Sequence, residues 1–131
     1  MPVFADTNVV VYAFGQDATK VEKAEAILEG QPTISVQVIN EFLNVCRVKL
    51  GLDTATRHGL VNELLAGCNV AVLDTRVVTK AMELESETGI SYWDALIVAS
   101  ALQSGCETLY SEDLQHAQVF EGRLTVVNPF I

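Results

Sequence analysis

Three observations predict an α/β fold around a mostly parallel sheet. Short β-branched or apolar runs alternate with segments of helical periodicity along the whole chain. Gly or Pro punctuates most junctions, so the connections are short. Half of the 131 residues are hydrophobic, enough for one substantial core, and the chain reads as a single domain over residues 1–131.

Each element follows from its own pattern. VFA (3–5) is a strand that stops at Asp6-Thr7-Asn8, with the apolar run VVVYAF behind it. Residues 18–29 are helical, with Val21, Ala24, Ile27 and Leu28 on one face, and Gly30 closes them. Gln31-Pro32 leads into the short strand TISV (33–36). Val38, Ile39, Phe42, Val45, Cys46 and Lys49 repeat at helical spacing up to a stop at Gly51. A further amphipathic helix covers 54–66 and ends at Gly67, before the strand NVAVLD (69–74). Helices over 76–88 and 91–104 end at Gly89 and Gly105. TLY (108–110) and LTVV (124–127) bring the strands to five. The chain carries no internal repeat and no low-complexity tract.

Composition excludes several classes. No apolar stretch reaches the roughly 20 residues of a membrane helix, and no secretory signal is expected at the N-terminus. Cys46, Cys68 and Cys106 are widely spaced, and His58 and His116 are the only histidines. A zinc cluster or a disulfide framework is therefore not expected, and the thiols read as small core residues in a reducing cytoplasm. Seventeen acidic residues face eight basic ones. Phosphate is normally gripped by Lys and Arg, so either nucleic acid is not the ligand or a cation mediates between protein and phosphate.

Four acids bear on that choice. Asp6 directly follows the first strand, where alone it reads as a helix cap. Glu41 lies in VINEFLNV beside a buried stripe, where alone it reads as a solvated helix residue. Ser91 and Asp94 in SYWDALIVASAL fit a capping box, yet the helix that follows is apolar almost all round and belongs in the core. No Lys or Arg lies between Lys80 and Arg123 to pair with Asp94. Asp113, in SED after TLY, repeats the arrangement at Asp6, with a polar turn opening another helix as its ordinary reading. In a parallel sheet all four can converge at the carboxyl edge, where α/β folds bind ligands. Four converging carboxylates repel one another unless a hard divalent ion joins them, and Mg²⁺ or Mn²⁺ suits an all-oxygen set better than zinc.

FADTNVVVYAF, NEFLNV, SYWDALIVASAL, LYSEDLQH and the final LTVVNPF together resemble the PIN-domain family of metal-dependent ribonucleases. Within that family they resemble the toxins of VapBC-type toxin–antitoxin modules. The resemblance covers the whole chain. It implies a three-layer α/β/α sandwich of about five strands. Asp6, Glu41, Asp94 and Asp113 fall on the family's acids, and Thr7, Asn8, Ser91 and Ser111 on its supporting positions. It also implies Mg²⁺, with Mn²⁺ able to substitute, RNA as the substrate, a cognate antitoxin protein and a homodimer.

On this view Asp6, Asp94 and Asp113 hold the metal, and Glu41 completes a pocket for phosphodiester hydrolysis. Arg47, Lys49, Arg57 and Arg76 are candidates to line an RNA groove, against their ordinary reading as solvated helix surface. Val9, Val10, Val11, Tyr12 and Phe14 serve either the core or an interface. Three rivals remain in view. An aspartyl-phosphate phosphatase wants D-x-D where this chain has Asp6-Thr7-Asn8. A receiver domain wants a late Lys that is absent. A catalytically silent PIN-like module that binds RNA or protein usually lacks one or more of the acids, and this chain retains all four.

Overall fold

β1 (Val3–Ala5) occupies the middle of the sheet because nothing in it needs water: Phe4 and Ala5 are fully buried. The structure, a computed structural model, describes residues 2–131. The elements after β1 run α1 (Thr7–Tyr12), α2 (Ala18–Glu29), β2 (Thr33–Ser35), α3 (Val36–Val48), α4 (Thr54–Gly67) and β3 (Asn69–Ala71). Then come α5 (Thr75–Thr88), α6 (Tyr92–Gln103), β4 (Thr108–Tyr110), β5 (Val119–Phe120) and β6 (Leu124–Val127).

The sheet order is β3-β2-β1-β4-β6-β5, parallel except for the antiparallel edge strand β5. From β1 the chain builds outward through β2 to β3, then returns to lay β4 on the other side of β1. The strand order therefore reverses between β1 and β4, where a crevice opens beyond the carboxyl ends. The helices flank the sheet in a three-layer α/β/α arrangement: α1 packs on α2 and α3, α3 on α4, and α5 on α6. No helix among the described residues is long and apolar enough to cross a membrane.

Several expectations change in detail. The strands number six, because Val119–Phe120 folds back on β6 through Glu121 and Gly122, both at positive φ (51° and 65°). β3 ends at Ala71, and Val72 and Leu73 are exposed, because Asp74 caps α5 by accepting from the Arg76 and Val77 amides. Val36 opens α3 instead of closing β2, since Ser35 caps that helix. The run after Asp6-Thr7-Asn8 becomes the short helix α1, with Val9 and Val10 wholly in the core and Val11, Tyr12 and Phe14 packed against it. No helix forms after Ser111; that segment is an irregular turn. Cys46 and Cys106 are buried as free thiols and Cys68 is half-buried.

α6 behaves as its composition demands. Every residue from Ala95 to Leu102 is buried, so the helix is held by contacts on all sides. At its N-terminus the Ser91 hydroxyl accepts from the Asp94 amide at 3.1 Å. Because α6 precedes a parallel strand, that N-terminus lies at the carboxyl edge of the sheet.

Candidate active site

Two backbone bonds prolong the strand pairing past the ends of β1 and β4 and fix where the first acids emerge. The Asp6 N–H donates to the Tyr110 carbonyl at 3.0 Å, and the Ser111 N–H donates to the Val127 carbonyl at 3.1 Å. Asp6 and Ser111 thus stand side by side across the reversal of strand order. The Ser111 hydroxyl donates to Asp6 Oδ2 at 2.9 Å and accepts from the amides of Asp113 and Leu114. Asp6 Oδ1 accepts from the Thr7 amide at 2.7 Å, so Asp6 also caps α1.

The other acids arrive from helices. α3 follows β2 and carries Glu41 one turn in, where its Oε1 accepts from the Thr7 hydroxyl at 2.6 Å. The N-terminus of α6 brings Asp94. Asp113 sits in the turn after β4, both its oxygens accepting from the Asn8 amide nitrogen at 3.2 Å. Asp6, Glu41, Asp94 and Asp113 therefore line one pocket of about 450 Å³, together with Thr7 and Asn8. Ser91 and Ser111 do not line it; they hold the backbone and side chains of residues that do.

The electrostatics of this arrangement are unfavourable. No Lys or Arg lines the pocket. Burial pushes the Asp6 carboxyl up to about 6, against the lowering effect of Thr7 and Ser111, and the charges of Asp113 and Glu41 add to the rise. Asp113 is more open, yet it too is raised, first by loss of solvent and then by Asp94 and Glu112. Arg47, Lys49, Arg57 and Arg76 do not line the pocket. Arg57 donates to the Leu52 carbonyl, and Arg76 pairs with Asp74.

The donor set fits a hard divalent cation: four carboxylates, the Thr7 hydroxyl and side-chain amides, and no thiol or imidazole at the pocket wall. Among the described residues no three His, Cys, Asp or Glu side chains close directly on a single ion. The fit is therefore to an ion that keeps part of its water, as Mg²⁺ commonly does. The pocket has room for it, since a water takes roughly 30 Å³ of liquid volume.

Six pocket residues escaped the sequence reading: Gln37, Asn40, Asn44, Val45, Trp93 and Ile97. The signal was present for the amides, because positions 37, 40, 41 and 44 fall on one face of α3. Asn and Gln on a helix, however, look like ordinary solvated surface.

Fold and site together describe a doubly wound α/β domain that gathers acids where its strand order reverses. The PIN domain family model matches residues 3–121, and the chain belongs to that family. Solved structures agree on the fold. A toxin–antitoxin complex from Klebsiella pneumoniae is 23% identical, covering 99% of this chain and 98% of that one, with a TM-score of 0.71. VapC20 of Mycobacterium tuberculosis, a toxin that cleaves the sarcin–ricin loop, is 17% identical, covering 85% of this chain and 89% of that one, at 0.70. VapBC2 of Rickettsia felis, bound to promoter DNA, is 18% identical over 96% of this chain and 98% of that one, at 0.70. No curated protein sequence matches the chain.

Proposed function

We propose that the chain is a divalent-metal-dependent endoribonuclease, the VapC-type toxin of a type II toxin–antitoxin module, acting in the cytoplasm. The pocket carries this reading: four carboxylates from four separate segments meet at one edge of the sheet, with no basic residue among them. Such a site repels phosphate by itself and attracts it only through a cation. A cognate antitoxin as partner is supported by the toxin–antitoxin complexes of similar fold. A homodimer is part of the same reading.

Asp6, Asp94 and Asp113 would hold Mg²⁺, or Mn²⁺ in its place, in part through the ion's own water. When bound, the ion supplies Lewis-acid polarisation of the phosphodiester and eases ionisation of the attacking water. The chain's own groups do the rest. The Thr7 hydroxyl donates a hydrogen bond to Glu41 Oε1, which orients that carboxylate and leaves Oε2 to accept a proton from the water. Asn8 bridges both oxygens of Asp113, holding its plane. Ser111 joins Asp6 to the turn that carries Asp113, so the ends of β1 and β4 move as one unit. Losing such a supporting contact typically costs about 10- to 100-fold in metal affinity or activity.

Cleavage of single-stranded RNA in Mg²⁺ or Mn²⁺, abolished by EDTA, is the expected result. Asp94→Asn should fold, by circular dichroism, and lose cleavage by about 100-fold or more. Full activity in that variant would remove Asp94 from the site.

A further inference from the structure

The pocket wall also carries neutral groups among the carboxylates. Gln37, Asn40 and Asn44 line it from α3, at the spacing that also carries Glu41. Trp93 lines it from α6, immediately before Asp94, and remains 66% exposed. Its ring is braced edge-on by Tyr92, with centroids 5.8 Å apart at 74°. Its carbonyl accepts from Gln37 Nε2 at 3.2 Å, a bond that ties the wall of α3 to the start of α6. Gln37 is only 6% exposed, and its Oε1 has no hydrogen-bond partner.

We propose that this part of the wall is a nucleobase subsite, in which the Trp93 indole stacks on an unpaired base and the carboxamides of Asn40 and Asn44 face the base edge, while Gln37 holds the Trp93 backbone in place. The proposal rests on the ribonuclease reading for its ligand. Three arguments lead to it. Without Lys or Arg in the pocket, phosphate is held only where the cation sits, so another part of the nucleotide must supply contacts along the rest of the wall. Base–aromatic stacking supplies them without charge. Carboxamides present donors and acceptors together, matching base edges that phosphate-binding cations do not discriminate. Those edges and faces are open only in single strands, loops or bulges, which is where such a subsite finds its base. Trp93 and Asp94 line the same pocket, so the stacked base lies beside the acids.

Trp93 is the only tryptophan in the chain, so its emission reports the contact directly. The experiment uses the full chain with Glu41→Gln, which keeps the three aspartates, in Mg²⁺. Penta-adenylate and penta-uridylate RNA are titrated in, alongside a pentamer of abasic nucleotides. Saturable quenching by at least one base-bearing pentamer, absent with the abasic one, is the expected result. Filter binding should then weaken roughly five- to 150-fold on adding Trp93→Ala, and less on adding Trp93→Phe, which keeps a ring. RNA that binds without changing the emission, or binds as tightly to the Trp93→Ala chain, overturns the subsite. Emission that changes with protein concentration alone, with no response to RNA, overturns it too and makes Trp93 a subunit contact. Cleavage by wild type is scored separately: cleavage without stacking leaves the nuclease reading standing, and stacking without cleavage leaves the subsite standing.

Discussion

Asp6 shows that a cap and a site residue can be the same atoms. Its Oδ1 closes the first turn of α1, while its carboxylate faces the pocket. Its titration gives a test in metal-free protein. With a carboxyl at about 6 in the fold and 3.8 as the ordinary value, the native state holds the proton over pH 4 to 6 while the unfolded state has released it. Stability is then fully present below pH 4 and falls as pH rises through 6, by roughly 3 kcal/mol. Asp6→Asn removes this loss. Urea denaturation in EDTA should show the variant gaining on wild type between pH 4 and pH 8. A difference that stays flat with pH would mean that the carboxylate is not held against its charge. The four acids were legible in the sequence because each follows a strand or stands at or near the start of a helix beside apolar residues. The amides of α3 were not, since nothing local distinguishes a carboxamide facing a pocket from one facing solvent.

At the scale of elements, α6 joins stability to the site. The Ser91 cap satisfies the Asp94 amide and sets where the Asp94 side chain leaves the helix. Ser91→Ala should cost about 1 kcal/mol in thermal or chemical unfolding and reduce metal-dependent cleavage, whereas Ser91→Gly should lose only a few tenths in stability. Equal stability and equal cleavage in the Ala variant would show that the cap does not position Asp94. Helices were read well because periodicity over three turns is a strong signal. The short pieces were not. β5 has two residues and exists only because a turn with Glu121 and Gly122 at positive φ folds it against β6. NVAVLD looks like one strand, but capping of α5 by Asp74 takes its second half away from the sheet. The turn at Ser111 even keeps the bonds of a helix cap, its hydroxyl accepting from the Asp113 and Leu114 amides, yet no helix follows it.

For the molecule as a whole, a net charge of −9 at pH 7 and a pocket without cations limit how RNA is held. Filter binding of single-stranded RNA should show a shallow salt dependence, with log K against log salt no steeper than about −1.5, or two neutralised phosphates. A slope near −4 would reveal a basic groove outside the pocket. Mg²⁺ should also raise the melting temperature, because it binds the folded carboxylate cluster and not the dispersed one, and EDTA should reverse the gain. The sequence by itself determined the class of fold, the order of the longer helices and the identity of the acids, because periodicity, capping and residue chemistry are local. Only the tertiary structure decided that β1 and β4 lie side by side, that Thr7 and Asn8 orient Glu41 and Asp113, and that Gln37 and Trp93 share the pocket. Those relations join residues 34 to 105 positions apart, and no local pattern encodes a contact made by folding the chain back on itself.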